Sequence, residues 1–156
     1  MLRVAFLSFI LLAPPARGEV GINLYGASYH FERDRARELG LTNEVNPGLG
    51  LRWRKPHSDN LDLFADAGFY RDSAANRAKL LGAGALWHAT EGLRLGGALV
   101  LLHSKTYNAG AAFITPAPIA AYEWRRVSFN VVYFPQFREL NRTNQLGFWL
   151  TLWLTE

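Results

Sequence analysis

The sequence predicts an all-β fold, an eight-stranded antiparallel up-and-down transmembrane β-barrel. Three observations carry that expectation. Eight segments of about 8–12 residues alternate in character, the length a tilted strand needs to cross a bilayer. The links between them alternate long and short, as outer loops and periplasmic turns do. Aromatic residues recur near segment ends, at Tyr25, Trp53, Tyr70, Trp87, Tyr107, Trp124 and Tyr133, where a membrane barrel places its girdles.

Composition narrows the alternatives. The chain has 156 residues, 17 Lys and Arg, 13 Asp and Glu, 14 Gly, 7 Pro and no Cys. That length suits one domain. Without cysteine there is no disulfide framework, thiolate metal site or Cys nucleophile. A hydrophobic content of 49% excludes a disordered tail, and a mean hydropathy of −0.04 excludes a helical membrane bundle.

Residues Met1–Gly18 read as a secretory signal peptide. Arg3 is its positive end, Val4–Ala13 its apolar run, and Ala16-Arg17-Gly18 its small-residue cleavage site. Pro14-Pro15 stops any helix from continuing. The domain is then 19–156. Losing Arg3 and Arg17 leaves 15 basic against 13 acidic groups, net +2, so no nucleic-acid partner is implied.

The strands are expected at Val20–Phe31, Pro47–Arg54, Leu61–Tyr70, Ala78–Ala89, Leu93–Ser104, Phe113–Trp124, Val127–Pro135 and Gln145–Leu154. Helical period is weak, apart from Arg33–Leu41. Long links are expected at Glu32–Asn46, Arg71–Arg77, Lys105–Ala112 and Gln136–Asn144, and tight ones at Lys55–Asn60, Thr90–Gly92 and Arg125–Arg126. An even strand number puts both termini on the periplasmic side and the long links outside.

Faces follow from parity. In strand one Asn23, Tyr25, Ala27, Tyr29 and Phe31 share the outward face, and Ile22, Leu24, Gly26 and Ser28 the inward one. In strand seven Phe129, Val131 and Tyr133 oppose Asn130. In strand eight Phe148, Leu150, Leu152 and Leu154 oppose Gly147, Trp149, Thr151 and Trp153. With Gly48, Gly50, Gly82, Gly84, Gly96 and Gly97 also inward, the lumen is expected to be apolar and roomy enough for one slender apolar ligand. A soluble lipocalin-type barrel has similar periodicity. The aromatic positions favour the membrane barrel.

Chemistry points to one rim. His30 closes strand one at the outer end, and Asp72-Ser73 follow strand three, which also runs outward. A base, an orienting carboxylate and a hydroxyl are what acyl transfer needs. Adjacent residues of an extended strand face opposite ways, so Asp72 and Ser73 converge on His30 only where the loop bends. A covalent acyl-Ser and a direct transfer are both compatible with these residues.

His57 falls in a tight turn and His88 at the periplasmic end of strand four; His103 ends strand five as a structural rim residue. No histidine pair has metal-ligand spacing, so neither metal nor cofactor is expected. Arg33, Arg35, Arg37, Arg77, Lys105, Arg138 and Arg142 occupy the outer links. They suit lipopolysaccharide phosphates, or are solvated charges balanced by Asp34, Glu38 and Glu139.

These residues resemble a known family, the outer-membrane lipid A palmitoyltransferases (the PagP family). Ser28-Tyr29-His30 resembles the family's Trp-His at the end of its first strand, and Tyr70-Arg71-Asp72-Ser73 its Lys-Asp-Ser. Pro116-Ala117-Pro118-Ile119 and Val127–Pro135 resemble its sixth and seventh strands, and Pro118 and Pro135 are 17 residues apart, as in the family.

The resemblance implies transfer of a palmitoyl chain from the sn-1 position of a phospholipid to a hydroxyacyl chain of lipid A. It implies a single chain in the outer membrane, and a lipopolysaccharide modification that resists antimicrobial peptides. His30, Asp72 and Ser73 fall on the family's functional residues. Gly84 falls on the glycine that sets acyl-chain length. Pro118 and Pro135 flank a lateral lipid gate, where proline removes the amide donors a ladder requires.

The chain also departs from the family. Tyr25 stands where the family has a proline, and Pro47 is only near another. Strand one begins almost at the predicted cleavage site, so the family's N-terminal amphipathic helix of about twenty residues is expected to be absent. Two other readings are a lipid A deacylase, for which His103-Ser104-Lys105 is the near match, and a non-enzymatic small barrel.

Overall fold

The computed structural model describes residues 18–154, so the predicted leader lies outside the described residues apart from Gly18. Eight strands, β1 (Glu19–His30), β2 (Val45–Ser58), β3 (Leu61–Arg71), β4 (Arg77–His88), β5 (Leu93–His103), β6 (Phe113–Trp124), β7 (Val127–Phe134) and β8 (Gln145–Trp153), form the domain. Each pairs antiparallel with its sequence neighbours, and β1 pairs with β8 to close the barrel. Closure pairs every strand on both sides over most of its length, which is what lets strands sit in an apolar medium.

The long and short links alternate as expected. A short helix, α1 (Arg33–Glu38), occupies the first long link, inside the segment Arg33–Leu41 that stood apart for its helical period. Several strand boundaries move by one or two residues, and the end of β2 moves furthest, from Arg54 to Ser58. Lys55 and Pro56 pair with Leu63 and Asp62 instead of turning, so β2 runs on to Ser58 and His57 lies on a strand. A register irregularity between Pro56 and Ser58 accommodates the proline.

The outward surface is apolar. Leu49, Leu51, Leu99, Ile114, Phe129 and Leu150 are all exposed, an arrangement that favours a hydrocarbon surround over water. Exposed aromatics mark both ends. Trp53, Trp87 and Trp124 lie toward the short-turn end. Tyr29, Phe31 and Tyr133 lie at the long-link end, with ring centroids 5.5 and 6.4 Å apart. Tyr25, Tyr70 and Tyr107, expected in the girdle, instead turn into the barrel and line its cavity.

The lumen corrects the expectation of an apolar interior. It has two tiers. Toward the short turns it is filled by a polar network: Arg52 donates twice to Asp66, at 2.8 and 2.6 Å, and once to Asn130 at 3.0 Å. Asn23 and Thr151 join it. Below, Arg54 bridges Glu19 and Glu123 and lies 3.9 Å from the Trp153 ring centroid. Only the half toward the long links is apolar.

Asn23 and Tyr25 therefore face inward, and Ile22 and Leu24 do not. The cause is a β-bulge between Tyr25 and Ala27. It shifts parity by one residue, so that Ala27, Tyr29 and Phe31 still face outward. The inward Tyr25 ring needs wall space. A Cβ on Gly50 would lie 2.9 Å from the Tyr25 hydroxyl, and one on Gly68 2.9 Å from its ring. Gly97, expected inward, shares the outward parity of Leu95 and Leu99.

Candidate functional site

The upper tier is a cavity lined by Tyr25, Tyr70, Leu80, Val100, Leu102 and Phe134 among others. Trp149 and Asp66 line it as well, and both also touch the polar tier through Arg52. The cavity therefore ends blind near mid-barrel. Its wall residues advance about four positions along most strands, roughly 10 Å of depth for tilted strands.

Ser73 lines the other end of this cavity. His30, the last residue of β1, meets it there: His30 Nε2 lies 2.9 Å from Ser73 Oγ. Both side chains are buried. The other ring nitrogen, Nδ1, lies 2.8 Å from the Thr143 hydroxyl. Ser28 Oγ lies 3.3 Å from Ser73 Oγ. Two residues separated by 43 positions thus form a base–hydroxyl pair, the arrangement from which an activated serine arises.

Asp72 lies beside this pair but does another job. Its Oδ1 accepts the backbone amides of Ala74 at 3.0 Å and Asn76 at 2.9 Å. Its Oδ2 accepts the hydroxyls of Ser104 and Thr106. With the carboxylate so occupied, the buried Asp72 builds the turn 72–76, in which Ala75 adopts a φ of 64°. That bend lets Ser73 face the cavity although it adjoins an inward, buried Asp72. The residue expected to orient His30 positions Ser73 instead, and Thr143 holds the imidazole.

Thr143 escaped the sequence because its link has no periodicity. What places it is its neighbour. Glu32, just past β1, accepts the Asn144 backbone amide at 3.0 Å and its side-chain amide at 2.6 Å. Those bonds, the Asn144 side chain's first, hold the Glu32 carboxyl below the usual carboxylate range. The Asn144 carbonyl accepts the Phe31 amide at 3.1 Å, so the last long link is stapled to the end of β1.

Tyr107, in the link after β5, was also missed. It is buried and lines the same cavity as Ser73 and Gln145. Burial, followed by the Asp72 charge, pushes its pKa up to about 12. It remains a protonated donor beside the serine.

The other expected residues are placed as follows. Gly84 faces inward but does not line the cavity; Gly82, one inward position nearer the long links, does. Gly84 pairs with Phe64 and Ala98, and a Cβ there would lie 2.1 Å from the Gly97 carbonyl oxygen. Pro118 is the first residue of β6 without a partner in β7, because that ladder runs only from Ile119↔Val132 to Trp124↔Val127. Pro135 directly follows β7. Pro116 and Pro118 share one parity, so their missing donors fall on the same edge of β6. The continuous β5–β6 ladder assigns that edge to β7. The barrel wall is therefore unpaired between Phe113–Pro118 and Tyr133–Phe134.

His103 is exposed, while the adjoining Ser104 is buried and bonded to Asp72, so these two side chains form no dyad. Among the described residues no His, Asp and Glu cluster has metal-holding geometry.

No family model matches the chain, and no curated protein matches it. Among solved structures, the Yersinia pestis outer membrane protein Ail, in a phospholipid bilayer nanodisc, is similar at 11% identity and a TM-score of 0.47, over 88% of this chain and 99% of that one. The fold class, a closed eight-strand antiparallel barrel, rests on the strand order of this chain itself.

Proposed function

We propose that this chain is an acyltransferase of the bacterial outer membrane that moves a fatty acyl chain from the sn-1 position of a phospholipid to a hydroxyacyl chain of lipid A. The observation that carries the reading is the His30–Ser73 pair, 2.9 Å apart, at the head of a blind apolar cavity. An acyl chain placed there buries methylenes worth about 0.8 kcal/mol each, and its ester lies against the serine. The apolar outward face and the two aromatic girdles support the membrane placement. The long links then face outward, and the unpaired β6–β7 wall admits the donor from the leaflet.

In this mechanism His30 Nε2 takes the Ser73 proton as Oγ attacks the donor's ester carbonyl. Tyr107, neutral and beside Ser73, donates to the developing oxyanion. His30 returns the proton to the departing lysophospholipid, leaving an acyl-Ser. The lipid A hydroxyl then gives its proton to His30 and attacks the acyl carbonyl, and as the acyl–Oγ bond breaks His30 returns that proton to Ser73.

The test is the mass of lipid A from an outer membrane expressing the protein. The expected result is the gain of one fatty acyl group. His30→Ala and Ser73→Ala should each lower transfer by about 10²–10⁴-fold, while heat-modified mobility on a detergent gel shows the barrel intact. Loss of an acyl chain would instead identify a deacylase, and unchanged lipid A a non-enzymatic barrel.

A further inference from the structure

Four cationic side chains and one histidine share one patch of the outward surface at the long-link end. Arg71 ends β3, Arg77 and Lys79 open β4, His103 closes β5, and Lys105 lies two residues on. All five are exposed. The ladder places Arg71 directly opposite Arg77, and Lys79 directly opposite His103. Directly opposed residues on one face have Cβ atoms about 4.5–5.5 Å apart, where like charges such as Arg71 and Arg77 destabilise a sheet.

Nothing in the described residues neutralises this patch. The ion pairs of the long-link end are Arg33–Glu44, Arg37–Asp34 and Arg142–Glu139, none of which includes it. Asp72, the nearest carboxylate in sequence, is buried on the inward side with both oxygens bonded.

The patch also has a defined height. One outward position closer to mid-barrel on the same three strands stand Phe69, Leu81 and Leu101, all exposed. The surface passes from apolar to cationic within a single pleat. In the proposed membrane that step lies where acyl chains give way to phosphate groups.

We infer that this patch binds the phosphate groups of lipid A, as an anchor for the acceptor. Guanidinium forks suit phosphate oxygens. Arg71 and Arg77 bracket the turn 72–76, so a phosphate held between them brings its lipid beside Ser73. The inference rests on the proposed membrane placement and deepens the proposed acceptor; its binding test does not require turnover.

The experiment uses the full barrel in neutral phosphatidylcholine nanodiscs, titrated with bisphosphorylated lipid A or its dephosphorylated form. The wild type is expected to bind the phosphorylated form at least about tenfold more tightly, since basic residues near an anionic lipid surface each add to its attraction. Raised salt should shrink that preference. The variant R71Q/R77Q/K79Q/K105Q is expected to lose it while keeping its heat-modified mobility. In turnover the variant should raise KM for lipid A and leave kcat within about twofold. Equal binding of both lipid forms by the wild type, an undiminished preference in the variant, or displacement of the lipid by millimolar inorganic phosphate would each overturn the anchor. A preference that persists in a protein without transferase activity would uphold the anchor and reject the acyltransferase reading.

Discussion

Thr143 decides which way the His30 imidazole works. In the tautomer whose Nδ1 donates to the Thr143 hydroxyl, 2.8 Å away, Nε2 carries the lone pair toward Ser73, and this is the tautomer the proposed mechanism uses. Thr143→Val keeps the shape and removes the acceptor. It is expected to lower kcat by about 10–100-fold, less than loss of the whole base, with KM little changed, and Thr143→Ser should restore most of the rate. Nitrogen shifts of His30 provide a readout that packing alone does not move: the variant should gain the tautomer protonated at Nε2. Wild-type kcat in Thr143→Val would reject this role. At this scale the sequence was partly legible. His30 and Ser73 stand out because their types at the ends of outward-running strands suit one reaction. Thr143 does not, because a threonine in an aperiodic link carries no signal until Glu32 and Asn144 bring it to the ring.

Single strands set the depth of the cavity. Gly82 and Gly84 lie two residues apart on the inward face of β4, yet only Gly82 meets the cavity. A Cβ on Gly82 would come no nearer than 3.4 Å to Val100 and 3.6 Å to the Leu99 carbonyl, ordinary contacts. On Gly84 it would drive into the β5 backbone. Gly82→Leu should therefore shorten the preferred donor chain by several carbons in lipid A mass spectra while the barrel still forms. An unchanged chain length would remove Gly82 from the cavity wall. Gly84→Met should instead reduce the folded fraction. The family resemblance pointed to Gly84; strand parity in the sequence gives its face but not the height at which a polar tier closes the lumen. The bulge at Tyr25/Ala27 is a second example: alternation is a two-residue rule, and one extra residue inverts it without trace in composition.

Over the whole barrel, the polar tier separates a ligand-sized cavity from the short-turn end. Arg52, among the most buried side chains, is held by Asp66 and Asn130 and lies 4.4 Å from the Phe64 ring centroid. Removing one partner strands a charge. Asp66→Ala should cost about 3–5 kcal/mol, whereas the double replacement Arg52→Met with Asp66→Leu should be nearly neutral. Urea unfolding in lipid vesicles measures both. Equal losses in the two variants would show that packing, rather than charge pairing, holds this tier.

Periodicity, segment length and link alternation in the sequence were enough to determine eight strands, their order and the side of the barrel on which the long links lie. These are local properties, and a closed meander follows from them because each strand pairs with its sequence neighbour. Tertiary structure alone decided what fills the lumen. Whether Asn23 points in or out depends on Asp66 and Thr151 being there to receive it, and whether Asp72 serves His30 or the turn depends on Ser104 and Thr106. Hydrogen bonds between residues tens of positions apart form only once the wall has closed, so no stretch of sequence contains them.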